Sequence, residues 1–122
     1  MKKLTISIDF DGVINMAEYP AIKPFNKTAL HHVRYWCSRG HTVIINSCRK
    51  LSIIREYRIS LDIDPRALIN QNNPENIKKY GGDCRKIYAD VYIDDHNILQ
   101  IGKPIDFELY DKTIRRLEHG EV

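Results

Sequence analysis

Asp9 and Asp11 stand where an apolar run ends, in "ISIDFDGVIN", and Gly12 follows at once. A spacing of two starts both side chains on the same side of an extended chain. Carboxylates that close repel unless a positive partner sits beside them. Gly12 permits a sharp backbone turn, which would aim the Asp11 carbonyl at the same place. Alone, the pattern is most simply an Asx-type turn in which the aspartates bond their own backbone. A second acidic pair, Asp94 and Asp95, follows the apolar "VYI". Ser47 follows the apolar "VIIN" and offers a hydroxyl that could donate to a phosphoryl oxygen or cap the next helix. Lys86 lies eight residues before Asp94. It could balance the carboxylates and hold a phosphoryl group, or be a surface charge; Arg85 rivals it for the role.

Carboxylates gathered in this number call for a cation. All-oxygen ligands suit a hard ion, and magnesium held by a few carboxylates generally holds phosphate too. Arg49 either reaches a substrate or is solvated, and Cys48 reads as a small packing residue. His31 and His32 are adjacent on a helix and share no face. His41 falls at a helix end. His96 could line a pocket next to the acidic pair.

The elements that must position these groups follow from periodicity. "KLTISID" and "TVIINS" read as strands, the second apolar enough to be covered on both faces. "ALIN" reads as a short third strand and "DVYIDD" as a fourth. Between them, "NKTALHHVRYWCSRG" reads as a helix capped by Asn26 or Thr28, with Leu30, Val33 and Cys37 inward and Gly40 as its stop. "LSIIREYRISL" places Ile54, Tyr57 and Leu61 at helical spacing, and "QNNPENIKKYGGD" is a loop with room for one short helix. The closing helix, "DFELYDKTIRRLEHG", turns Leu109, Ile114 and Leu117 inward. Alternating strands and helices predict one α/β domain over residues 1–122, Rossmann-like, with helices on both faces of a parallel sheet in the order 3-2-1-4. In such a sheet ligands bind beyond the carboxyl ends of the strands. The same rim would carry Asp9, Asp11, Ser47, Asp94 and Asp95.

Composition limits the alternatives. The chain has 122 residues, a net charge of +3, 43% hydrophobic and 29% charged residues, the balance of a globular domain and not of a dedicated nucleic-acid binder. Its three cysteines lack metal-type spacing, which predicts reduced thiols and a cytoplasmic location. The first apolar run meets Asp9 too early for a signal peptide. No window approaches the ~18 apolar residues of a membrane span.

Taken together, "DFDGVI", "VIINS", Lys86 and "YIDD" resemble, in order and spacing, the four motifs of the haloacid-dehalogenase-like superfamily, most of whose members are magnesium-dependent phosphatases. "YPAI" and "KIYADVYIDDHN" resemble more narrowly its short, capless bacterial and phage members. The resemblance implies that Asp9 is the nucleophile, forming an aspartyl-phosphate, and Asp11 the general acid and base. It implies that magnesium is held by the Asp9 carboxylate, the Asp11 carbonyl and Asp94, with Asp95 reaching the ion through water or supporting its ligands. Ser47, Lys86 and Gly12 would surround the phosphoryl group. His96 departs from the arginine that many relatives carry there, and Ser47 from their threonine. Only 35 residues separate Asp11 from Ser47 and 38 separate Ser47 from Lys86, too few for an inserted cap. The expected site is open, taking a phosphate from a small molecule or from a macromolecular end such as a polynucleotide, unless oligomerisation supplies a lid. Two other classes compete: a phospho-accepting or phosphate-sensing module without turnover, and a metal-dependent nuclease.

Overall fold

The computed structural model describes residues 1–60 and 63–121, without the side chains of 57–60. The elements run β1 (Thr5–Asp9), α1 (Lys27–Ser38), β2 (Thr42–Asn46), α2 (Leu51–Ser60), β3 (Leu68–Ile69), α3 (Pro74–Tyr80), β4 (Val91–Ile93) and α4 (Phe107–Glu118). The four strands form a parallel sheet in the order β3-β2-β1-β4, as expected, with the helices flanking it. Of the expected positions at helical spacing, the side chain of Tyr57 and the whole of Leu61 lie outside what is described.

β1 alternates, and its register carries that alternation across the sheet. Ile6 pairs with Val43 and Val91, and Ile8 with Ile45 and Ile93, so six branched side chains share one face. They form one buried cluster with Val33, Trp36 and Cys37 of α1, Ile54 of α2 and Ile114 of α4. The opposite row is mixed: buried Thr5 and Ser7 pair with Thr42 and the buried Ile44, and Asn46 Nδ2 donates to Ser7 Oγ. Its polar groups are matched by the chain that returns from β3. Asn73 and Asn76 donate to Thr5 Oγ1, Asn73 also donates to Thr42 Oγ1, and Tyr92 Oη donates to the Ile87 carbonyl at 2.7 Å.

Both long outer helices begin on side-chain caps. Asn26 Oδ1 accepts from the Thr28 and Ala29 amides, and Asp106 Oδ1 from the Leu109 amide. Leu109 is a correction: it is 55% exposed, next to Ile98 and Leu99 in a surface cleft, and the inward face of α4 is carried by Phe107, Ile114 and a partly buried Leu117. β3 is shorter than "ALIN", because Asn70 leaves the strand with φ +50°. Cys37 is buried and Cys48 and Cys84 exposed, all as free thiols. Among the described residues, no helix is long and apolar enough to cross a membrane.

Candidate metal and phosphate site

β1 ends at Asp9 and the chain turns immediately. Phe10, Val13 and Ile14 are fully buried and anchor the turn from within. The Phe10 carbonyl accepts from the amides of Ile14 at 2.9 Å and Asn15 at 2.8 Å. Gly12 sits at φ +87°, a region that favours glycine. A Cβ there would lie 2.3 Å from Asp95 Oδ2 and 2.6 Å from Asp95 Cγ. The missing side chain is the space into which the end of β4 delivers a carboxylate.

One carboxylate oxygen from each of Asp9, Asp94 and Asp95 lies within 4.8 Å of the other two. Burial pushes the Asp9 pKa up to about 7, helped by the neighbouring charges of Asp94 and Asp95. Among the described residues Asp95 Oδ1 is buried without a hydrogen-bond partner, while Asp95 Oδ2 lies 3.7 Å from His96 Nε2 and the Asp95 carboxyl also shares a hydrogen bond with Asp9. The Asp94 Oδ1 acceptor is partly used by the His96 amide at 2.9 Å. A buried carboxylate oxygen without a donor, inside a cluster of three acids, fits a cation. The all-oxygen donor set fits a hard one such as magnesium. Asp95 thus stands level with Asp9 and Asp94 in this cluster.

Asp11 points its carboxylate elsewhere. Arg49 grips it with Nε at 2.8 Å and Nη2 at 2.9 Å, and Asn15 Nδ2 donates to it at 2.9 Å. Partial burial would raise its pKa, but these hydrogen bonds and the guanidinium charge outweigh that and hold it below the usual carboxylate value. Arg49 is itself buried, and its remaining donors reach the carbonyls of Pro20 at 2.8 Å and Ala21 at 3.1 Å. It does not project into solvent. It ties the loop after β1 to the end of β2.

Beside Asp9 opens a cleft of ≈ 320 Å³ lined by Asn46, Ser47, Cys48, Asn70 and Arg85. Ser47 Oγ accepts from the Arg49 amide at 3.0 Å, which leaves its hydroxyl proton to donate. Asn70 pins the Ser47 backbone from both sides, accepting from its amide at 2.7 Å and donating to its carbonyl at 2.8 Å. Lys86 does not line this cleft. Lys86 and its rival Arg85 are both exposed, and of the two it is Arg85 that lines the cleft with Asp9. Asn70 was legible by the strand-end rule applied to "ALIN". Arg49 was not, because a buried guanidinium gives no pattern of its own.

Two of the histidines pack within the fold. His32 stacks on Phe107 with ring centroids 5.3 Å apart, and His41 is buried between the Leu4 amide and Glu118.

No family model and no curated protein matches the chain. A solved structure of a conserved protein from Bacteroides thetaiotaomicron is similar to it, with a TM-score of 0.69 and 27% identity over 94% of this chain and 92% of that one.

Proposed function

We propose that the chain is a magnesium-dependent phosphomonoester hydrolase working through an aspartyl-phosphate on Asp9. The observation that carries the reading is the trio of Asp9, Asp94 and Asp95, one of whose carboxylate oxygens is buried and unpartnered among the described residues, with a cleft lined by Asp9 beside it. Magnesium would be held by these three carboxylates, with the Asp11 carbonyl joining them on the resemblance alone. When bound, it would neutralise the cluster and polarise the phosphoryl oxygens.

In the first step an Asp9 oxygen bonds to phosphorus as the ester oxygen departs and takes a proton from Asp11. In the second, water attacks phosphorus, its proton passes to Asp11, and the Asp9 carboxylate leaves as inorganic phosphate forms. Ser47 and Arg85 are the donors that face the transferred oxygens. Arg49 keeps Asp11 ionised, which is the form the second step uses. Protonating the leaving oxygen in the first step requires the Asp11–Arg49 pair to open. The three free thiols agree with a cytoplasmic setting.

The test is release of inorganic phosphate from an aryl phosphate and a panel of sugar phosphates, nucleotides and end-phosphorylated oligonucleotides. Activity should require magnesium and vanish on chelation or in Asp9→Asn. A magnesium-loaded protein inert on the whole panel would overturn the reading. The grip of Arg49 on Asp11 favours one second reading, a phospho-acceptor without turnover, and an acyl phosphate that persists for hours after labelling would decide for it.

A further inference from the structure

A second cleft, of ≈ 630 Å³, meets the first at Cys48, which lines both. Its walls include Tyr19, Ile22 and Ile53, with Lys50 and Glu56 at its polar side. Tyr19 is 74% exposed, large for an aromatic ring in a loop, yet it is not left to wander. The Arg49 guanidinium lies 4.7 Å from the centre of its ring, and the same guanidinium donates to the carbonyls of Pro20 and Ala21. Asn15, fully buried, holds this loop from the other side through the Ala21 carbonyl at 3.0 Å and the Lys23 amide at 3.0 Å. One arginine therefore fixes both the Asp11 carboxylate and an exposed aromatic platform.

We infer that this cleft receives the leaving group of the phosphomonoester, and that the group is a nucleobase-bearing one, as in a nucleoside monophosphate. The inference rests on the phosphatase reading above and deepens it. A planar base matches an aromatic face stiffened by a cation, since base–aromatic stacking needs only a π-surface and gains from a guanidinium in the same stack. Ile22 and Ile53 supply apolar walls for the ring edge. Glu56 accepts from an exocyclic amine, and Lys50 donates to a ring nitrogen or carbonyl. A bare sugar phosphate uses none of these groups. The position agrees with the chemistry: Asp11, which must reach the leaving oxygen, shares the Arg49 guanidinium with the Tyr19 ring.

The experiment compares kcat/KM for adenosine 5′-monophosphate and ribose 5-phosphate, which share the reacting phosphate and sugar. The wild type should prefer the nucleotide by about tenfold or more. Tyr19→Ala should bring the ratio near one, and Tyr19→Phe should keep it. Equal efficiencies in the wild type, or a ratio unmoved by Tyr19→Ala, would overturn the inference while leaving the phosphatase reading intact. A second measurement needs no turnover: adenosine, without phosphate, is titrated while the Ile22 and Ile53 methyl resonances are followed. Shifts confined to these methyls and lost in Tyr19→Ala support the cleft even if no ester is hydrolysed. Methyls unmoved at millimolar adenosine count against it.

Discussion

Gly12 is the residue at which the backbone and the acidic trio meet. Its φ of +87° asks for glycine, and the place a Cβ would take is filled by the Asp95 carboxylate. Gly12→Ala therefore carries two separable penalties. The strained backbone should cost about 1–2 kcal/mol in urea unfolding. The displaced Asp95 should remove the thermal shift that magnesium gives the wild type and lower phosphate release by about 100-fold, as small misplacements of reacting groups do. A variant that loses stability but keeps the full magnesium shift would show that the Asp95 position does not matter to the cation. Arg49 is the residue that sequence reading could not place. Nothing in "NSCRK" distinguishes an arginine bound for solvent from one buried against a carboxylate 38 positions away in the chain. Its partners, Asp11, Pro20, Ala21 and the Tyr19 ring, become neighbours only after the loop has closed.

Among the elements, α4 is held at its far end by one acid. Glu118 is buried and accepts from Arg39 Nε at 2.9 Å, Arg39 Nη2 at 2.8 Å and His41 Nε2 at 2.7 Å, while its carbonyl accepts from the Lys2 amide at 2.8 Å. It clamps the last helix to the α1–β2 junction and to the start of β1. Removing the charge in Glu118→Gln leaves a guanidinium and a buried imidazole short of an acceptor, and should lower Tm by roughly 5–10 °C. Thermal unfolding checks it, and phosphate release at 25 °C should hardly change, because the clamp lies at the opposite end of the strands from the site. What could be read of the elements beforehand was whatever burial writes as a period. The strands and α1 announce themselves through Ile6, Ile8, Val33 and Cys37, and the site rim follows because strand ends carry polar residues. Leu109 misled because the 3.6-residue period passes through an exposed flank of α4, where Ile98 and Leu99 make an apolar surface that no periodicity foretells. Likewise Arg85 and Lys86 are adjacent in an irregular stretch and both exposed, and only the folded loop decides which of them lines the cleft beside Asp9.

For the molecule as a whole, acids with opposite shifts set the dependence of stability on pH: Asp9 is raised, while Glu118, Asp11 and Asp64 are lowered. Glu118 has its pKa held down: burial opposes ionisation, but the Arg39 hydrogen bonds exceed it and His41 adds to them. A lowered folded value means that its contribution is present above the ordinary value of 4.5 and is lost as pH falls through the folded value. Asp9 has the reverse sign. With its folded pKa raised from 3.8 to about 7 by burial and by Asp94 and Asp95, its contribution is full below 3.8 and disappears as pH rises through 7. Without a divalent cation, the protein should be most stable in mild acid, between these limits, and lose Tm on going from pH 6 to pH 8. Magnesium supplies at pH 8 what the proton supplies at pH 6, so a saturating concentration should flatten that loss by binding the folded form alone. Asp9→Asn removes the ionisation and should flatten the upper limb without any cation, while leaving in place the acid limb that Glu118 shares with Asp11 and Asp64. Thermal scans across pH 4–9, with and without magnesium, separate the cases. A Tm that falls from pH 6 to pH 8 equally in the wild type, in Asp9→Asn and in the presence of magnesium would mean that the acidic trio is not what governs this limb, and the cation site would lose its main support.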